Sequence, residues 1–180
     1  MGFKGNGRHG RNLVFGFLLA LCLATPALAG PEQEYEQARK TYEIGDVVGA
    51  MPGVRKAADQ GYAPAQTLLA YILNKSGYNT GAMRYYRLAA DQGYAPGEFG
   101  LGAMYASGDA GKKDPVQALL WIRRAADKGN QDAIRVLAAA YRVGDLGLKP
   151  DPEQARLWAS RMKQPEGANP PKEKTQQEAK

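Results

Sequence analysis

The chain is nearly without the residues on which most protein chemistry depends. Of its 180 residues one is Cys and one is His, Cys22 and His9, and both fall within the first 29 positions. Downstream of Ala29 there is neither thiol nor imidazole, which removes Cys and His nucleophiles and bases and most zinc or transition-metal sites. No cofactor and no metal are implied. A single Cys cannot form an internal disulfide, so packing alone must hold the fold. Long apolar runs are missing as well. The longest, Leu13 to Ala24, falls well short of the ~20 residues that span a bilayer.

That run has the layout of a secretory signal. Lys4, Arg8 and Arg11 precede it, and the small-residue string Ala27-Leu28-Ala29 follows, predicting cleavage after Ala29 and a periplasmic or secreted product. The competing reading is a retained anchor, which the short run disfavours. Cys22 lies behind Leu19-Ala20-Leu21, and Leu21 is larger than the residue a lipid-attachment box carries there. No adjacent arginine pair marks the twin-arginine route. Of 24 basic and 18 acidic residues, three basic ones lie in residues 1–29, so the mature chain holds 21 against 18 and a charge of only +3. The remaining charges are interspersed. Nucleic-acid binding needs a coherent basic stripe, and the pairs Lys112-Lys113 and Arg123-Arg124 are expected on a solvated loop and helix.

Against these absences stands a repetition. Ala57-Ala58-Asp59-Gln60-Gly61-Tyr62-Ala63-Pro64-Ala65 returns at Ala89 to Gly97 and, degenerate, at Ala125 to Ala133, at spacings of 32 and 36 residues. A second landmark, D-P-x-Q-A-x-x-W, occurs at Asp114 to Trp121 and at Asp151 to Trp158. Superposing the units puts Leu69, Leu101 and Leu137 in one column, followed by Ala70, Gly102 and Ala138, and by Leu73, Tyr105 and Tyr141. The partner helix contributes Ala50, Ala82, Ala118 and Ala155, then Gly53, Tyr85, Trp121 and Trp158. A unit of this length is one supersecondary element whose apolar face stays bare until a neighbour stacks on it. Asp114 and Asp151 are preferred N-caps, Pro115 and Pro152 suit the first helical position, and Gln117 and Gln154 stand where a capping box would reach back. Gly61, Gly93 and Gly129 follow Ala-rich segments as left-handed stops. The pattern predicts about eight helices.

Through L-G-x-M-Y-x-x-G at Leu101 to Gly108 and D-P-x-Q-A-x-x-W-x-x-x-A-A-x-x-G from Asp114, the chain resembles the Sel-one-like repeat family, a branch of the tetratricopeptide-like repeats. The resemblance implies an all-α solenoid of about four helix-turn-helix units at 33–61, 65–93, 97–129 and 133–162. These lie within an array at 30–163, between the signal (1–29) and a polar tail (164–180) that lacks large apolar residues and is expected to be disordered. The first unit is the least regular: Pro52 and Gly53 predict a kink or a short helix. Disulfide-linked relatives exist in such families, and this chain departs from them.

Apparent catalytic motifs dissolve on inspection. Ser160-Arg161-Met162-Lys163 satisfies S-x-x-K without companion elements, and Gly111-Lys112 has no phosphate-loop glycine at the required spacing. Glu32, Glu34 and Glu36 are expected on a solvated first turn rather than as an acid/base pair. What remains is a surface. In tetratricopeptide-like arrays the first helix of each pair lines the inner wall, which selects Glu36, Lys40 and Glu43; Thr67, Tyr71, Asn74 and Lys75; Phe99 and Ser107, with Ala103; and Arg135 and Arg142, with Asp132 and Ala139. Tyr71 and Phe99 are candidate exposed aromatic contacts, the alternative being rings packed between helices. Arg135 and Arg142 share a helical face and are spaced to clamp a carboxylate, the alternative being surface salt bridging. The expected function is a non-catalytic adaptor binding a protein or peptide partner in the bacterial cell envelope, with no membrane span after signal cleavage. The rivals are a carbohydrate-binding or carboxylate-dependent envelope protein acting on peptidoglycan, and a structural subunit of a secretion or motility apparatus.

Overall fold

The computed structural model describes residues 2, 30–109 and 111–162; the signal-like segment and the polar tail lie outside the described residues. Among them are eight helices and no strand: α1 (Pro31–Glu43), α2 (Val47–Asp59), α3 (Ala63–Lys75), α4 (Asn79–Asp91), α5 (Ala95–Ser107), α6 (Pro115–Asp127), α7 (Gln131–Val143) and α8 (Pro152–Ser160). They pack as successive antiparallel pairs, each second helix handing on to the first helix of the next pair. None of the described helices is long and apolar enough to cross a membrane.

The stops between pairs follow from backbone hydrogen-bonding demand. Past α2 the Gly61 amide donates to the Ala58 carbonyl (3.0 Å) and the Tyr62 amide to Ala57 (3.1 Å), closing the helix end with Gly61 left-handed at φ +87°. Gly93 and Gly129 repeat the arrangement at φ +75° and +84°. The conserved geometry sits where a side chain would be strained, which explains the glycine in each copy of the string.

At the starts, Asp114 accepts from the Gln117 amide (3.0 Å), and Asp151 accepts from the Glu153 and Gln154 amides (both 3.0 Å). The return bond of a capping box is not made by either Gln side chain. The reason is tertiary: the Asp114 amide already donates to the Tyr105 carbonyl (3.0 Å) and the Asp151 amide to Tyr141 (2.7 Å). The cap residue therefore stitches its helix to the preceding one.

Two connected clusters form the core, with Tyr105 packed against both. The aligned columns supply it: Leu69, Leu101 and Leu137 are fully buried, as are Ala50, Ala82 and Ala118. Small residues set the helix spacing. A Cβ on Gly102 would lie 2.7 Å from Ile122 Cγ1, and one on Gly53 would lie 2.8 Å from Ala38 Cβ. Gly53 thus replaces the aromatic of the other units because α1 and α2 touch there. Contrary to the expectation of a short helix, α2 runs through Pro52 for the same 13 residues as its neighbours. Pro52 is exposed, and packing of Ala50, Val54, Ala57 and Ala58 carries the helix past the missing amide.

The first helix closes the array by composition. Where α3, α5 and α7 bury Ala65, Gly97 and Ala133, and then Leu69, Leu101 and Leu137, α1 carries exposed Gln33 and Gln37. No preceding pair covers that face among the described residues, and polar residues occupy it accordingly.

Candidate functional site

The first helices of the second and third pairs run side by side, and the groove between them is the best-formed concavity on the wall expected from the sequence. Its volume is about 550 Å³, and Thr67, Tyr71, Asn74 and Lys75 of α3 face Phe99, Ala103 and Ser107 of α5 across it. Asp132 of α7 joins from the next unit, and Tyr86 and Met104 form part of the lining. Seven residues chosen on column position alone, with Asp132, therefore share one groove.

Their side chains are not equivalent. Thr67 Oγ1 donates to the Ala63 carbonyl (3.0 Å) and Ser107 Oγ to Met104 (3.2 Å), so both hydroxyls serve their own helices. Asn74 Nδ2 donates to Asn79 Oδ1 (3.1 Å) and Asp109 Oδ2 (3.3 Å), while Asn79 Nδ2 donates to the Asp109 carbonyl (2.8 Å). Asn74 thereby holds the α5–α6 connection at the groove edge. Tyr71 is different: it is 43% exposed, with the Lys75 ammonium 5.5 Å from its ring centre. Phe99 is half-buried and packs against the second core cluster, so it presents only part of its ring. Beneath them Tyr86 is buried, and burial pushes its phenol up to about 12, with Tyr71 the smaller influence.

Farther along, Arg135 and Arg142 line a separate cavity of about 350 Å³ between α7 and α8, together with Arg156. Arg135 pairs with Asp132 (2.9 Å), as the salt-bridged alternative anticipated. No hydrogen bond or ion pair engages Arg142 or Arg156 among the described residues. At the other end Glu36 and Glu43 both pair with Arg39 on α1, and the Arg39 hydrogen bond holds the half-buried Glu36 carboxyl below its usual range. Glu36 borders a third concavity, of about 980 Å³, between α1 and α2; Lys40 and Glu43 line none of the three. The wall is thus not one continuous site: its middle is a groove, and its beginning is a charged helix face.

Two features were missed in the sequence. Glu98 looks like an ordinary acidic first-turn residue, yet it is fully buried, accepting from Lys128 Nζ (2.7 Å) and paired with Arg124 Nε (3.2 Å). Arg124 also stacks 4.5 Å above the Trp121 ring; the Arg123-Arg124 pair stays exposed on α6 as expected, while its second member is held in place by Glu98 and Trp121. Like Glu98, Glu34 is not solvated, being largely covered and paired with Lys56. The column alignment held the clue: Glu34, Gln66 and Glu98 occupy one position, and Lys56 and Arg124 another. The second feature is Leu146, buried at φ +54° in the α7–α8 connection, a plug no repeat column announces.

Comparisons agree with this architecture. The Sel1 repeat family model matches residues 63–94, 95–130 and 131–163, more than half of the chain, each match opening within two residues of a first helix. A crystal structure of a protective antigen present in uropathogenic Escherichia coli strains, described as displaying an SLR fold, is similar at 28% identity and TM-score 0.64, over 74% of this chain and 30% of that one. A Sel1 repeat protein from Oxalobacter formigenes is similar at 28% identity and TM-score 0.66, over 73% of this chain and 57% of that one. This chain therefore spans only part of the length of either. Among curated proteins none matches. Sel1 repeat proteins generally mediate protein–protein contacts and are typically non-enzymatic. Paired helices in register, the matched repeats and these neighbours lead to one conclusion: the chain belongs to the Sel1 repeat family.

Proposed function

We propose that this protein is an exported adaptor of the bacterial cell envelope, without catalysis of its own, that binds a protein or peptide partner in the groove between α3 and α5. The observation that carries the reading is Tyr71: a large aromatic, 43% exposed, standing over a 550 Å³ groove with the Lys75 ammonium over its ring. Aromatic anchors that bury on contact, surrounded by adaptable polar groups, supply most of the energy of protein interfaces. The signal-like start, with Lys4, Arg8 and Arg11 before Leu13 to Ala24 and Ala27-Leu28-Ala29 after it, supports export to the periplasm or beyond.

The test compares two preparations. The mature protein is used to retain envelope proteins, in parallel with sedimentation on purified cell-wall sacculi. Retention of a defined protein that is lost on Tyr71→Ala, with helix content and melting unchanged, supports the reading. Saturable sacculus binding with no protein retained would replace it by a carbohydrate-binding role.

A further inference from the structure

The cavity between α7 and α8 is the place where, in every earlier pair, the next helix lies. Ala70 and Ala82 of the second pair are fully buried, and Tyr86 packs so closely on the following helix that a Cβ on Gly100 would lie 2.2 Å from its ring. In the third pair the same columns hold Gly102, Ala118 and Ile122, again buried. In the fourth they hold Ala138, Ala155 and Ala159, which are only half-covered and line the 350 Å³ cavity. The floor is built to receive a helix, and none of the described residues covers it.

We infer that this slot binds an amphipathic helix of another protein that carries a large apolar residue at its centre and acidic residues along its edges. The size follows from reciprocity across the junctions: bulky Tyr86 meets Gly100, whereas Ala159, at the Tyr86 position, leaves room for a bulky partner. The charge follows from the rim, where Arg142 and Arg156 have no acidic partner and Arg135 adds a third guanidinium. Two nearer occupants fit worse. Residues 163–180 contain no large apolar side chain. The first helix of a second copy would present Gln33 and Gln37 at the positions where internal helices bury Ala or Gly and Leu. The inference stands on the burial of the α7 and α8 columns, independently of the Tyr71 groove.

The experiment measures binding of the full chain to synthetic helical peptides of about 20 residues, longer than the ~12–15 at which isolated helices are marginal. One carries a central Leu with Ala one turn to either side and Glu along both edges; its control replaces every Glu by Lys. The Glu peptide binds, and the Lys peptide binds at least about tenfold more weakly. Arg142→Glu combined with Arg156→Glu weakens the Glu peptide by about tenfold or more, and Ala159→Phe, which fills the slot, abolishes binding with an unchanged circular dichroism spectrum. Tyr71→Ala leaves the peptide affinity unaltered, so failure here and failure of the groove reading are separable. Equal affinity for both peptides, binding that survives Ala159→Phe, or no binding at all would overturn the inference. So would a concentration-dependent dimer that Ala159→Phe dissolves, which would assign the slot to a second copy.

Discussion

Two glycine-to-alanine substitutions, chemically identical and both inside helices, are expected to move stability in opposite directions. At Gly100 a new Cβ would fall 2.2, 2.4 and 2.7 Å from Cε1, Cδ1 and Cζ of Tyr86, where carbon atoms prefer about 3.5–4.0 Å. Tyr86 is buried, so its ring cannot simply swing into solvent. Either the ring leaves its rotamer or α5 moves away from α4, and overpacking of this kind costs about 1–3 kcal/mol. The better helix propensity of Ala returns only about 0.5–1 kcal/mol, leaving a net loss centred on about 1 kcal/mol. At Gly81 a Cβ meets only Leu73 Cδ1 at 3.4 Å, ordinary contact, so the propensity gain stands alone and stability rises by up to about 1 kcal/mol. Thermal melting followed at 222 nm reads both, at about 2–4 °C per kcal/mol for a chain of this size. On a Tyr86→Leu background Gly100→Ala should lose most of its penalty, a coupling of about 1 kcal/mol or more. A Gly100→Ala protein as stable as the parent, or a penalty unchanged on that background, would refute close approach of α4 and α5 at this point.

Three further perturbations probe other layers. Trp121→Ala, which removes a buried ring and the platform under Arg124, should cost about 3–5 kcal/mol in chemical denaturation. Asp114→Ala should cost about 1 kcal/mol by removing the N-cap of α6, with Asp114→Asn retaining most of it, as read by the melting temperature. Burial pushes the phenols of Tyr35 and Tyr86 up to about 12, so the folded chain holds their protons more tightly than the unfolded chain does. Their contribution is intact below the unfolded value near 10 and lost as pH rises from there through about 12. Denaturation midpoints should be flat from about pH 7 to ~10 and fall above it, with a shallower fall in Tyr86→Phe.

Most of the fold was legible because it is periodic. Landmarks such as the Ala-Ala-x-x-Gly string and Asp114-Pro115 fix helix ends by local hydrogen-bonding demand, which a sequence displays directly. The columns also brought Tyr71, Asn74, Lys75, Phe99 and Ser107 to one groove, since residues at equal positions in stacked helices share a face. What failed depends on neighbours that no local signal names. The capping box lost its return bond to the carbonyl of a preceding helix, α2 kept its length past Pro52 through packing, and Glu98 was drawn inside by Lys128 from the far end of α6. Lys40 and Glu43 line none of the three concavities, and Glu43 is instead paired with Arg39 on its own helix, a local contact that column position does not announce.

The claim that matters most is that partners are read by the inner groove rather than the outer face of the array. A photo-cross-linking residue placed at Lys75, and separately at Val116, which is 73% exposed on α6 away from the groove, tests it in living cells that produce the protein. The account predicts a discrete adduct from position 75 that disappears when Tyr71 is changed to Ala, and none from position 116. Adducts from position 116 alone, or from position 75 regardless of Tyr71, would contradict it.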